Sequence, residues 1–471
     1  LSFAFGSWAN GGHEIKVKLN NFQEKEAYLA TYYGENPFII DTVDISTENL
    51  VVFKGEEALD AGVYLIVLPP ENKFLQIFID EANQHFELEA DVTKLDQNAV
   101  KVKGSDANAV FYEYVGFLNS IGPKAQGLRE QISAARAANE DTEALSKELN
   151  AINDEVKNLQ LKIVEEHPNS IVATWIKFGF EPDIPEFAGE EAVVQRKRYF
   201  YRKDHFFDKV NMADPSLYHN PMLFKKIDYY INQLTAPVPD SINRSLDTVL
   251  ELIRPAEKTF EFYLRHFLNT YAESKIVGMD AVYVHLVDQY YAAGQAPWID
   301  EETLEKIIKE AKRLKPLLIG QMAPDIKMTK EDGSKLSLYE IDAPFTVLFF
   351  WRPGFPHCQK ATPHILEFHE KFKDKGVKVM ASCIKVGEEA PKCWEFVKTK
   401  KMEPLINVFD PFNTSKFYTK YDTRITPKIM ILDKDKKILV NRIGAEQLGE
   451  IMDQIIEEEN RKLQESLDKE E

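Results

Sequence analysis

Three cysteines are the side chains in this sequence with the most distinctive chemistry: Cys358, Cys383 and Cys393. As thiolates they attack, exchange disulfides or bind metal, and in an oxidising compartment they cross-link. Cys358 lies in FFWRPGFPHCQKATP, residues 349–363, where an apolar strand pattern gives way to a helical one. Cys383 is expected near the end of a strand and Cys393 near the start of the next helix, with IKVGEEAPK between them. A bridge closing that loop of roughly ten residues would stabilise by about 2–3 kcal/mol. Two reduced, half-buried thiols are the alternative reading. Were the bridge present, Cys358 would be the odd thiol, and a relay between it and the pair is conceivable. His357, His364 and His369 surround Cys358, but the spacing of five turns His369 away from the other two, so the three do not share one helix face and no metal is expected. The sequence has no paired C-x-x-C zinc spacing, Gly-rich phosphate loop or nucleophile elbow, and no small-molecule cofactor is implied.

The elements that must position these residues belong to a chain of 471 residues, past the size at which one core keeps growing. Two to four domains are the prior, and three is our reading. Apolar residues are 44% of the chain, aromatics 11% and charged residues 28%, the composition of an ordinary folded protein. A net charge of -18 opposes phosphate backbones and anionic lipid, so nucleic acid is not an expected partner. Residues 1–12, LSFAFGSWANGG, read as the remnant of a signal peptide, with a mature first strand as the alternative. No later run approaches the roughly 18 apolar residues of a membrane helix.

Residues 13–103 alternate apolar and polar side chains, as in Ile15-Val17-Leu19 and Leu75-Ile77-Ile79, which predicts an antiparallel β-sandwich. Residues 104–319 change period. Leu145, Leu149, Ile152, Val156, Leu159 and Ile163 form one helical stripe, and an upstream partner carries Leu128, Ile132 and Ala135, so an antiparallel pair turning near residues 139–142 is expected in an all-α domain. Within it, RKRYFYRKDHFFDK, residues 196–209, is read as a helix face with its aromatics in the core and its bases solvated. Residues 320–471 alternate strands and helices: a buried strand Phe345–Trp351, a helix from about His357, a strand from Val377, a helix over 391–400, a short strand 406–409, a hairpin around 434–436 and a final helix near Ala445.

PFTVLFFW, FPHC and ITPKIMILDKD stand in the order in which the periplasmic thioredoxin-like reductases place their first core strand, redox motif and cis-proline strand. The last 150 or so residues resemble that family. The whole chain is similar to the exported multidomain thioredoxin-like (redoxin) proteins of Bacteroidetes type, whose active site is usually C-G-H-C. The resemblance implies a thioredoxin fold with a binding groove of Trp351, Phe355, Pro356, His357, Thr426 and Pro427. It also puts Phe355 in place of the first cysteine and Cys358 in place of the second. Phenylalanine neither ionises nor attacks, and a second cysteine alone has no mixed disulfide to resolve. The expectation is a periplasmic or cell-envelope binding, adaptor or scaffold subunit with a degenerate redox site, its partners being proteins or extended peptides. The alternative is an active thiol-disulfide oxidoreductase or isomerase using Cys358, with or without Cys383 and Cys393. A peroxidase-like role would want a cysteine near the end of the first strand of this domain, and none stands there before Cys358.

Overall fold

A computed structural model describes residues 11–46, 48–95 and 100–467. All but the last two of the residues read as a leader remnant lie outside that range. The chain divides into two compact units, residues 1–236 with 245–262, and residues 237–244 with 263–471.

The first unit opens with eight strands: β1 (His13–Asn20), β2 (Glu26–Tyr33), β3 (Asn36–Asp44), β4 (Leu50–Gly55), β5 (Gly62–Leu68), β6 (Lys73–Ile79), β7 (His85–Asp91) and β8 (Val100–Lys103). They form two sheets of four, ordered β4-β1-β7-β8 and β3-β2-β5-β6. Pairing is antiparallel except between β1 and β7. Alternation decides which side chains go inward: Ile15, Val17 and Leu19 from one sheet share a core with Leu29, Ile66 and Ile77 from the other.

Helices follow: α1 (Asp106–Ala137), α2 (Glu143–Glu166), α3 (Ile171–Lys177), α4 (Glu191–Asp204), α5 (Pro221–Asn232), α6 (Pro239–Ile253) and α7 (Glu257–Ala272). Ser105 caps α1 by accepting from the Asn108 amide. The chain reverses between Ala137 and Glu143, and Ala125, Leu128 and Ile152 meet between α1 and α2, with Leu145 and Leu149 against them. The expected pair therefore forms on the expected stripe. The basic-aromatic segment differs from its expectation. No residue of α4 is fully buried, and Tyr199 and Phe200 stay exposed, while Phe206 and Phe207 just beyond it enter the core. The helix ends before its aromatics can all face one way, and only the pair beyond its end turns inward.

The second unit holds α8 (Asp280–Leu286) and α9 (Glu301–Leu314), then β9 (Lys327–Thr329), β10 (Lys335–Ser337), β11 (Phe345–Trp351), α10 (Pro356–Phe372), β12 (Val377–Cys383), α11 (Pro391–Lys400), β13 (Ile406–Phe409), α12 (Phe417–Lys420), β14 (Lys428–Leu432), β15 (Ile438–Asn441) and α13 (Leu448–Leu467). Asp300 caps α9 by accepting from Thr303 N, and Glu301 and Glu302 in its first turn and Lys312 and Arg313 in its last suit the helix dipole. The seven strands run in the order β10-β9-β13-β12-β11-β14-β15. β11, β12 and β13 are parallel, β14 is antiparallel to β11, and helices cover the sheet. That is a thioredoxin fold, and the protein is multidomain: β-sheets, then helices, then this α/β unit. The short strands β9 and β10 carry too few residues to show a period and were not legible in the sequence.

Candidate functional site

Topology gathers the site. Because β11, β12 and β13 are parallel and β14 is antiparallel, the segments after the first three and the segment before β14 emerge at one edge of the sheet. These are residues 352–355, 384–390, 410–416 and 422–427.

The first segment is built by two backbone constraints. Gly354 adopts φ 81°, which favours glycine, and turns the chain from Trp351 toward α10. Phe355 precedes Pro356, is held extended at φ -87° and ψ 125°, and forms the N-cap, while Pro356 opens the helix where its missing N–H costs nothing. Phe355 has no side-chain oxygen with which to cap. Its ring is 40% exposed and lies under the Arg352 guanidinium, 4.1 Å from ring centroid to charge. Sequence reasoning missed Arg352, whose only signal was its place three residues before an aromatic in a proline-glycine turn.

Cys358 begins the inward face of α10, continued by Ala361, Thr362, Ile365, Phe368 and Phe372, a spacing of three and four. Its sulfur is buried, and burial pushes the thiol above its ordinary value, against the Arg352 backbone amide, the Thr426 hydroxyl and the Arg352 charge, which favour thiolate. The Thr362 hydroxyl donates to the Cys358 carbonyl at 2.8 Å.

Trp351, the last residue of β11, is buried, pairs in register with Cys383 and packs at 4.9 Å on Phe396 of α11. Cys383 and Cys393 are joined by a disulfide, their Cα atoms 6.1 Å apart. Cys358 is the free thiol. Both half-cystines and Cys358 lie in one apolar cluster with Trp351 and Phe396. His357 is exposed, His364 approaches Glu446 at 4.0 Å, and burial lowers the pKa of His369.

The Thr426–Pro427 peptide is cis, Thr426 is buried, and Ile425 beside it is 82% exposed. Phe412, in the segment after β13, is also 82% exposed, and Val386 after β12 is exposed too. Gly387 N donates to Pro411 O at 2.8 Å, tying those two segments together. Phe355, Val386, Phe412 and Ile425 thus place four exposed apolar side chains at one sheet edge. Val386, Phe412 and Ile425 had no sequence signal, because only the strand order makes them neighbours. Directly after the cis-proline, Lys428 is 6% exposed, donates to Tyr421 O at 2.6 Å, and is pushed by burial down to about 8. Among the described residues no group of three His, Cys, Asp or Glu side chains is arranged to hold a metal ion, and no helix is long and apolar enough to cross a membrane.

Residues 319–440 match the AhpC/TSA family. Residues 138–315 and 13–111 match two families described as domains of unknown function, DUF5106 and DUF4369. A thiol-disulfide oxidoreductase ResA of Bacillus cereus is 28% identical over 128 residues, 27% of this chain and 71% of that protein. Among solved structures, a domain of a possible thiol-disulfide isomerase from Cytophaga hutchinsonii is 36% identical over 31% of this chain and 98% of its own, with a TM-score of 0.29. A thioredoxin-like protein from Bacteroides caccae is 20% identical over 58% of this chain and 96% of its own, with a TM-score of 0.44.

Proposed function

We propose that this chain, whose residues 319–440 form a redoxin domain of the AhpC/TSA family, binds an extended polypeptide at the edge beside Thr426–Pro427 and does not exchange thiols there. The observation that carries the reading is the pairing of Phe355 with Cys358. The helix-start position that the resemblance gives to the attacking sulfur holds a half-exposed ring, and the one free thiol is buried with its pKa raised. A thiol in that state is a poor nucleophile at neutral pH. The edge exposes apolar side chains among its charges: Phe355, Ile425 and Phe412 are exposed where a packed core would hide them, and such rims mark interaction surfaces. The cis peptide at Pro427 lies at the same edge. This is the chemistry of a binding, adaptor or scaffold subunit. An oxidising location, periplasm or cell envelope, agrees with the Cys383–Cys393 disulfide.

A second reading, exchange through Cys358 with Cys383 and Cys393, is favoured by the family and by the names of the relatives. Against it, all three sulfurs belong to residues no more than 1% exposed. Insulin reduction by the purified protein, beside its Phe355→Cys variant, separates the two. The binding reading expects silence from the parent and turnover from the variant. Turnover by the parent, lost in Cys358→Ala, establishes the second reading instead.

A further inference from the structure

Within the second unit, a cleft of about 610 Å³ opens between α9 and the segment 419–424, floored in part by Pro316 and Pro324. Its lining carries six bases and one carboxylate, in a chain whose net charge is -18. The arrangement follows from helix periodicity: Lys306, Lys309 and Arg313 are spaced by three and four and share one face of α9. Facing them are Lys420, at the end of α12, and Arg424, two residues before the cis peptide.

These bases differ in how far they are neutralised. Arg313 contacts Glu310 and holds Asp422 at 3.1 Å, Arg424 holds Asp422 at 2.7 Å, and Lys306 holds Glu302 at 2.6 Å. Lys309 and Lys312 have no carboxylate within ion-pair distance among the described residues, and Lys420 donates to a backbone carbonyl, that of Asp325, at 2.6 Å. An acidic chain that leaves uncompensated bases together in a cleft, rather than scattered, has built a local attraction for anions.

We propose that this cleft receives an acidic stretch of the polypeptide bound at the neighbouring edge. Two features favour a peptide over a small anion. From Lys306 to Arg313 the helix advances about 10 Å, the length of about three extended residues, so the positive charge is a row and not a point. Arg424 lines the cleft and also belongs to the segment that ends in Thr426–Pro427, so the cleft and that edge share a stretch of chain. The inference deepens the binding reading by giving the partner a charge, and it fails separately from it.

The test uses the full chain and a fluorescent peptide of alternating aspartate and apolar residues, with an asparagine-substituted counterpart. The wild type should bind the acidic peptide at least about tenfold more tightly than the neutral one, with the preference shrinking as salt rises. The double variant Lys309→Glu, Lys420→Glu should erase the preference, as should the milder Lys309→Gln, Lys420→Gln, which keeps the test informative if charge reversal harms folding. Equal affinity for both peptides, an unchanged preference in both variants, or cleft-dependent binding of pyrophosphate with none of peptide overturns the proposal. If Phe355→Ala abolishes peptide binding while the lysine variants change nothing, the edge reading stands and the acidic cleft falls.

Discussion

Lys428 offers a measurable consequence of the way the cis-proline strand is buried. It enters the sheet directly after Pro427, is 6% exposed, and has burial as the main cause of its depressed pKa, with Asp422 pulling the other way. A lysine that ordinarily keeps its proton to 10.5 and here releases it at about 8 carries a penalty for its charged form of about 3 kcal/mol. Below about pH 8 the folded and unfolded chains are both protonated at this site, so the whole penalty is present. Between there and 10.5 the unfolded chain binds more protons than the folded one, so stability rises with pH. Above that window both are neutral. Lys428→Met keeps the stem and removes the titration. It also removes the hydrogen bond to Tyr421 O, so the diagnostic is the pH slope and not the stability at one pH. Urea unfolding of both proteins across this window should show wild type gaining about 3 kcal/mol on the variant as pH rises, other groups cancelling in the difference. A difference that stays flat, or that moves against the wild type, refutes the claim that a desolvated ammonium sits behind the cis-proline.

Two further outcomes follow from the buried sulfurs. Replacing both Cys383 and Cys393 by alanine opens a loop of sequence separation 10 and should cost about 2–3 kcal/mol, read as a lower urea midpoint; an unchanged midpoint under non-reducing conditions would show that the bridge adds nothing to stability. Cys358, buried with a raised pKa, should react with iodoacetamide at neutral pH more than about tenfold more slowly than a free thiol, and faster after unfolding; mass spectrometry that finds it modified at the free-thiol rate in the native protein contradicts the burial.

Periodicity made much of this architecture legible from the residues alone. Alternation in Ile15-Val17-Leu19 marks a strand because successive side chains face opposite ways, and the stripe ending at Ile163 marks a helix because residues three and four apart share a face. The strand Phe345–Trp351 is buried on both faces from Thr346 onward, which the five consecutive apolar residues Val347–Trp351 announce. Phe355-Pro356 declared its own geometry as well, since proline constrains the residue before it. Those are local rules, and sequence carries them. What it does not carry is adjacency. Val386, Phe412 and Ile425 are ordinary apolar letters until parallel β11, β12 and β13 and antiparallel β14 bring their loops to one edge, and Arg352 becomes part of the site only when its charge settles over a ring three residues away. The depressed pKa of Lys428 and the disulfide at Cys383 likewise depend on which groups the sheet presses together, because desolvation and bond formation are set by distance through space and not along the chain.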